Sequence, residues 1–211
     1  GCCGALVHHL GRTDESHADA RRNVDAWIAE ADGAGLDAIV INASGCGTTV
    51  KDYGFVLRTD PAYAEPAARV SALARDVTEL VAELEPAGTA PEPLAVTYQS
   101  ACSMQHGQNI TTLPKELLER AGFAVRTPAE AHLCCGSAGT YNILQPALAT
   151  QLRDRKLAAI AQTAPDVVAS GNIGCMTQLG AAMDTPIVHT VELLDWATGG
   201  LRPEALGTAK R

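Results

Sequence analysis

The chain has 211 residues, of which 46% are hydrophobic, and its 16 Lys and Arg against 24 Asp and Glu give a net charge of −8. This length and apolar content suffice for one large globular domain or two small ones. The acidic balance argues against a nucleic-acid-binding face and against docking on anionic lipid, and no apolar run approaches the roughly 18 residues of a membrane-spanning helix.

In the first half of the chain, hydrophobic periodicity predicts two helices and a strand. One helical face over residues 17–31 carries Val24, Trp27 and Ile28. The continuous apolar run 38–41 favours a buried strand. A strong amphipathic pattern predicts a single helix over residues 65–84. The Pro-rich stretch 85–93 that follows indicates a linker.

In the second half, apolar runs predict further short strands at residues 94–98, 123–125, 167–169 and 187–191, the last with His189 as a core histidine. Thr112 can cap a helix that has Pro114 in its first turn. A longer helix has Pro146 near its start, and its charged run 153–156 predicts a solvent-exposed face, with contact to a partner subunit as the alternative. Short strands alternating with helices predict an α/β fold with parallel strands.

The chain also contains an internal repeat. Two cysteine sets match each other, Cys2, Cys3 and Cys46 in the first half and Cys134, Cys135 and Cys175 in the second. An Asp precedes the last cysteine of each set by nine positions. We therefore predict two tandem modules, residues 1–88 and 89–198, and a weakly structured tail at 199–211. The first-half equivalent of Cys102 would lie upstream of Gly1, which with the missing initiating Met predicts a carboxyl-terminal fragment whose first module is truncated at its amino end.

The seven cysteines are an odd number with two adjacent pairs, which is a poor disulfide framework and favours metal or redox chemistry. The second-half cysteines follow predicted strands, and the carboxyl ends of parallel strands share one edge of a sheet. We predict one site from Cys102, Cys134, Cys135 and Cys175, and a second, incomplete site from Cys2, Cys3 and Cys46.

Four thiolates can hold an iron–sulfur cluster or a zinc ion. A dithiol redox site without metal, or buried structural cysteines, are the alternatives. His9, His106 and His132 lie near cysteines in the sequence, so we predict that they hydrogen-bond a cluster sulfur or ligate the metal; ordinary turn histidines are the alternative. No residue of the chain is predicted to be catalytic.

Longer strings around these cysteines carry a family resemblance. CCGALVHHLGR at 2–12, CSMQH at 102–106 and HLCCGSAGTYN at 132–142 resemble the cysteine-rich CCG module. That module recurs in heterodisulfide reductase, in lactate-utilisation proteins and in the iron–sulfur subunits of glycolate oxidase, and the strings are most similar to the last group. Both modules depart from the full CCG pattern, because Thr49 and Gln178 stand where its final cysteine would be. This departure weakens the case for a double cluster and for disulfide cleavage.

The resemblance implies an electron-transfer subunit with a [4Fe-4S] cluster, or zinc at a CCG site. Flavoprotein partners would carry FAD and oxidise glycolate to glyoxylate, with a quinone or the respiratory chain as electron acceptor. It further implies a ferredoxin-like region upstream and a cytoplasmic location, alternatively peripheral on the cytoplasmic face of the membrane. A heterodisulfide-reductase-like or lactate-utilisation redox protein, and a zinc-stapled scaffold for flavoproteins, are the other functions considered.

Overall fold

The structure, a computed structural model, describes residues 1–207, so the last part of the predicted tail, 208–211, lies outside the described residues. The chain divides into two compact units, the first being Gly1–Val77 and the second starting at Thr78. The module boundary between residues 88 and 89 stays a prediction. Within residues 1–207, no helix is both long enough and apolar enough to cross a bilayer.

The first unit packs helices around a two-stranded parallel sheet. Its elements in chain order are α1 (Ala5–His9), α2 (Thr13–Asp32), β1 (Ile39–Ile41), α3 (Ser44–Lys51), α4 (Tyr53–Val56), α5 (Ala64–Leu73) and β2 (Ala74–Asp76). β1 and β2 pair in register from Ile39 beside Ala74. The predicted face of α2 is confirmed at Val24, which is buried in the core with Tyr53 and Val70, while Trp27 packs against that core.

The prediction of one helix over residues 65–84 is wrong in its middle. Residues 74–76 form β2 instead, between α5 and the next helix, α6 (Val77–Leu84). Ala-Arg-Asp has little intrinsic strand preference, so the conformation comes from the tertiary context. Ala74 and Asp76 are each 1% exposed, and the backbone of β2 pairs with β1. This strand pairing outweighs the helical hydrophobic pattern of residues 74–76, whereas α5 and α6 on either side form the helices that the pattern predicts.

The second unit contains a four-stranded, all-parallel sheet of order β4-β3-β5-β6. After α6 its elements are β3 (Ala95–Gln99), a π-helical turn (Ser103–Gly107), α7 (Leu113–Arg120), β4 (Ala124–Arg126), α8 (Tyr141–Leu144), α9 (Pro146–Ala161), β5 (Val167–Ser170), α10 (Ile173–Gly180), β6 (Ile187–His189), α11 (Thr190–Ala197) and a 3₁₀ turn (Glu204–Leu206). The predicted α/β class with short parallel strands is confirmed.

Helices cover both faces of this sheet. Val167 and Ala169 of β5 face a core that includes residues of α7 and α11. Val168, between them, faces the opposite core, which contains Ile160 of α9, Leu179 of α10 and two of the cysteines. Strands buried on both sides explain the continuous apolar runs in the sequence. The cysteine-bearing layer is therefore the α9–α10 face.

The end of the sheet differs from the prediction. The strand predicted to run to residue 191 ends at His189, and α11 begins at Thr190. His189 is only half-buried and is not a core histidine. Its Nδ1 accepts a hydrogen bond from the Val191 N–H at 3.1 Å, and the Glu192 carboxylate accepts one from the His189 N–H at 2.6 Å. Together these bonds cap the helix.

Candidate metal centre

The strand order of the second unit determines where a site can form. From β3 the chain moves outward to β4, and from β5 it moves outward to β6, so β3 and β5 flank a topological switch point. In such sheets, ligands bind beyond the carboxyl ends of the two strands at this point. Cys102 follows the end of β3, and Cys175 lies in the first turn of α10, directly after β5.

The loop that carries Cys134 and Cys135 reaches the same place through a close approach of backbones. Gly136 has φ 92°, which is the left-handed region that favours glycine. A Cβ on Gly136 would lie 2.3 Å from the carbonyl oxygen of Ala149 in α9. The glycine of the CCG motif is therefore required by both conformation and space, and it lets the loop rest on the first turns of α9.

The four cysteines of the second unit form a continuous array of thiols. The Cys135 thiol donates to Cys175 Sγ at 3.3 Å, and the Cys102 thiol hydrogen-bonds to Cys134. Backbone and amide donors complete the array: the Gly136 N–H lies 3.4 Å from Cys134 Sγ, and Asn172 Nδ2 lies 3.5 Å from Cys175 Sγ. Cys135 and Cys175 are 1% and 2% exposed.

These hydrogen bonds divide the thiols into acceptors and donors. The Cys102 and Cys135 thiols lower the pKa of Cys134, helped by the N–H of Gly136. The hydrogen bond from Cys135 likewise lowers the pKa of Cys175, against the effect of burial. The same bonds, together with burial, raise the pKa of Cys102 and of Cys135. Cys134 and Cys175 are thus the thiols whose deprotonation the array favours, and a metal would displace the protons of their neighbours.

The donor chemistry of this array suits a soft metal. Thiolates are the ligands that zinc and iron–sulfur clusters prefer. Within residues 1–207 no three Cys, His, Asp or Glu side chains stand as a formed metal cage, and the sulfurs are instead in thiol-to-thiol contact. The arrangement is that of four adjacent thiols beyond the carboxyl ends of β3 and β5.

The first unit repeats the same construction with three cysteines. The Cys3 thiol hydrogen-bonds to Cys46, which lies in the first turn of α3 after β1, as Cys135 does to Cys175. This bond lowers the pKa of Cys46 to about 7. Gly4 has φ 84°, and a Cβ there would lie 2.9 Å from the Ser16 carbonyl oxygen. Cys2 is exposed.

The three histidines are near the cysteines in sequence but are not bonded to them. His9 is exposed on α1, where its ring is tilted against that of His8. His106 is also exposed, and its Nε2 lies 3.3 Å from the carbonyl oxygen of His132. In the described part of the chain, no hydrogen bond joins any of these rings to a cysteine sulfur. Their assignment to the site stays a prediction.

Sequence reasoning missed several residues that support the array. Asn172 has no motif to identify it. Gln178 occupies the place of the missing final cysteine, and its Oε1 accepts a hydrogen bond from Asn142 Nδ2 at 3.1 Å, which joins α8 to α10. Lys156 belongs to the charged run predicted to be solvent-exposed, yet it is only 3% exposed. That prediction is wrong at Lys156, because the α9 face that carries it packs against the cysteine loop.

Comparison with known proteins places these features in a wider group. A family model described as a cysteine-rich domain, CCG, matches residues 1–51 and 96–180. The chain is 41% identical over 203 residues to the glycolate oxidase iron-sulfur subunit of Escherichia coli and 32% identical over 209 residues to the probable glycolate oxidase iron-sulfur subunit of Bacillus subtilis.

The coverage of these relatives is unequal. The match takes in 93% of this chain but 48% of the Escherichia coli protein, and 94% of this chain but 46% of the Bacillus subtilis protein, so the chain spans about half the length of either. Lactate utilization protein A of Bacillus licheniformis is 27% identical over 203 residues, which cover 92% of this chain and 82% of that protein.

Proposed function

The chain belongs to the CCG cysteine-rich domain family, and on this premise we propose that it is an electron-transfer protein that holds an iron–sulfur cluster in its second unit. Cys102, Cys134, Cys135 and Cys175 would be the ligands of a [4Fe-4S] cluster, one of the two cluster types that four cysteine thiolates hold. When bound, such a cluster supplies one-electron transfer at a potential that its surroundings adjust. The function of this chain would be to bind the cluster, to bury it and to set its reduction potential.

The observation that carries this proposal is the array of four thiols at the switch point of the sheet. The four thiols are carried by three separate pieces of backbone, the segment after β3, the loop of Cys134 and Cys135, and the first turn of α10, so the array is a product of the fold and not of one flexible loop. The Gly136 N–H and Asn172 Nδ2 donate to sulfur. Donors of this kind withdraw charge from thiolate ligands and so raise the reduction potential of a cluster.

A second site in the first unit is part of the same proposal. Cys2, Cys3 and Cys46 would be three ligands of a separate cluster or of a zinc ion. The thiolate character of Cys46, with its pKa of about 7, supports metal binding near neutral pH. A fourth ligand would have to come from elsewhere, from water or from another segment.

The similarity to glycolate oxidase iron-sulfur subunits supports a finer proposal. The chain would receive electrons from a flavoprotein partner that oxidises glycolate to glyoxylate, and would pass them towards a quinone or the respiratory chain on the cytoplasmic side. Carbon chemistry would take place on the flavin of the partner, and none would take place on this chain. Lactate in place of glycolate is the second candidate substrate, because of the similarity to lactate utilization protein A.

Metal analysis of the anaerobically purified and reconstituted 211-residue chain tests the cluster. We expect stoichiometric iron and sulfide and an electron paramagnetic resonance signal after dithionite reduction. Cys134→Ser and Cys175→Ser should each abolish the part of this signal that comes from the second unit, because each removes a thiolate ligand there. Cys2→Ser, in the other unit, is the matched control and should retain it.

Two results would refute the proposal. Stoichiometric zinc without iron would exclude electron transfer by this site. Iron retained in full by both Cys134→Ser and Cys175→Ser would show that the cluster is bound elsewhere. The partner is tested separately, by adding glycolate or lactate to the chain mixed with its flavoprotein subunits and following cluster reduction.

A further inference from the structure

The first turns of α9 lie directly against the cysteine loop of the second unit. Ala149, the fourth residue of α9, has its carbonyl oxygen so close to Gly136 that any Cβ there would clash. Lys156 follows seven residues later, which is two helical turns, and so lies on the same face. Leu157 and Ile160, next to it on α9, pack in the core that contains Cys135 and Cys175.

Lys156 is a buried cation on this face. Its side chain is held by two carbonyl oxygens of the segment just before the CCG motif, Glu130 O at 3.0 Å and Ala131 O at 3.2 Å. The carboxylate of Glu130 is turned to a different cation, Arg155. A buried ammonium is costly unless a negative charge compensates it.

The cysteines of the site can supply this negative charge once a bound metal has deprotonated them. Burial lowers the pKa of Lys156, whereas the charges of Cys135, Cys134 and Cys175 raise it, ahead of the charge of Glu130. Once the thiols are deprotonated by a bound metal, the ammonium and the thiolate site stabilise each other.

The repeat provides a neutral counterpart in the first unit. Ser16, the fourth residue of α2, approaches Gly4 as Ala149 approaches Gly136, and Asn23 follows Ser16 by seven residues. Asn23 is also buried, and its Nδ2 donates to the Cys2 carbonyl oxygen at 2.8 Å and to Tyr53 Oη at 3.0 Å. The two units therefore hold their CCG loops with the same helix position but differ there by one charge.

We propose that Lys156 is the fixed positive charge that raises the reduction potential of the cluster in the second unit. The inference rests on the proposed function, because it concerns the cluster of that same site. Reduction adds one electron, hence one negative charge, to an already anionic thiolate-ligated cluster. A buried ammonium favours the reduced form over the oxidised form and so raises the midpoint potential. The role is electrostatic, and Lys156 need not touch the metal.

Redox titration of the reconstituted 211-residue chain tests the effect of the Lys156 charge on the midpoint potential. Lys156→Asn installs the residue of the first unit, and Lys156→Arg keeps the charge. We expect Lys156→Asn to change the oxidised-to-reduced ratio at a given potential by about tenfold towards oxidised, which is a midpoint lower by ~59 mV for one electron. Lys156→Arg should stay near wild type. Lys115→Asn, which removes a half-exposed Lys on α7, is the matched control and should leave the midpoint unchanged.

The outcomes separate this inference from the proposed function. A wild-type chain that binds no iron refutes both. Full iron content with an unchanged midpoint in Lys156→Asn refutes only the role of Lys156. If Lys156→Asn loses its iron, Lys156→Gln is measured instead, because its longer side chain keeps an amide donor towards the two carbonyl oxygens. A lowered midpoint in Lys156→Gln supports the proposal, and loss of iron there as well means that Lys156 only anchors the loop, which overturns it.

Discussion

Gly136→Ala is expected to destabilise the second unit by more than its backbone conformation alone explains. At φ 92° an alanine costs about 1–2 kcal/mol relative to glycine. The added Cβ would also lie 2.3 Å from Ala149 O and 3.1 Å from Ala149 C, so the first turns of α9 would have to move by about 1 Å to reach ordinary contact. Forcing a methyl into packed surroundings costs about 1–3 kcal/mol. The total is about 2–5 kcal/mol.

Gly122→Ala is the matched control for the conformational part. Gly122 lies in the same unit at φ 89°, and its nearest neighbour to a new Cβ is Thr89 Cγ2 at 3.7 Å, an ordinary contact. Both variants therefore lose the left-handed glycine, but only Gly136→Ala meets the carbonyl of Ala149. The difference between the two free energies of unfolding should be about 1–3 kcal/mol.

Urea denaturation followed by tryptophan fluorescence measures this difference. Trp196 is buried in the second unit, and Trp27→Phe as a common background removes the signal of the first unit. Equal losses of stability in Gly136→Ala and Gly122→Ala would refute the reasoning, because the close approach of the CCG loop to α9 would then have no energetic consequence. Gly136→Ala should also lower the iron content after reconstitution, since the loop positions two thiols.

Three further predictions concern local contacts. The rate of iodoacetamide labelling of Cys46 should rise with pH around a midpoint of about 7, because the hydrogen bond from Cys3 keeps the pKa of Cys46 low. Cys3→Ala should move this midpoint up towards 9.0. A midpoint that does not move, measured by mass spectrometry of the labelled chain, would contradict this. Tyr53→Phe removes the hydroxyl that donates to the Cys3 carbonyl oxygen at 2.9 Å. It should lower the free energy of unfolding, measured in urea, by about 1–2 kcal/mol. A loss below about 0.3 kcal/mol would argue against this buried hydrogen bond. His189→Ala should lower the free energy of unfolding by about 1 kcal/mol, because the Val191 N–H loses its capping acceptor. His189→Asp should restore the stability, since aspartate also caps helices. An Asp variant as unstable as the Ala variant would argue against capping.

Much of the architecture could be predicted because it follows from local patterns. Strands buried on both faces require continuous apolar runs, and the predicted runs at 94–98 and 167–169 lie within one residue of β3 and β5. Proline at the first turn of a helix has a direct conformational cause, so α7 begins where Thr112 and Pro114 predict it. The repeat of the CCG motif also indicated which cysteines are equivalent.

Two of the errors have a common physical cause, which is that tertiary contacts decided the outcome for ambiguous segments. The third, the strand end at His189, comes from a local helix cap. Residues 74–76 continue a helical pattern and yet form β2, because β1 offers a parallel edge beside them. The charged run 153–156 predicts a solvent-exposed face, and yet Lys156 is 3% exposed. A periodic pattern identifies the apolar face of a helix, but it cannot show which of the polar residues will be buried against a polar loop.

The sequence by itself determined the class of site: seven cysteines in a duplicated CCG pattern, placed after short apolar runs, predict thiolate chemistry at the ends of parallel strands. Only the tertiary structure decided how those thiols are paired, since Cys135 and Cys175 are 40 residues apart and meet at 3.3 Å. It alone placed Lys156 of α9 beside the loop in the second unit and Asn23 of α2 in the equivalent place in the first. The physical reason is that residue type alone makes a cysteine a metal ligand. The electrostatic field at that ligand is instead a sum over neighbouring groups that only the fold brings together.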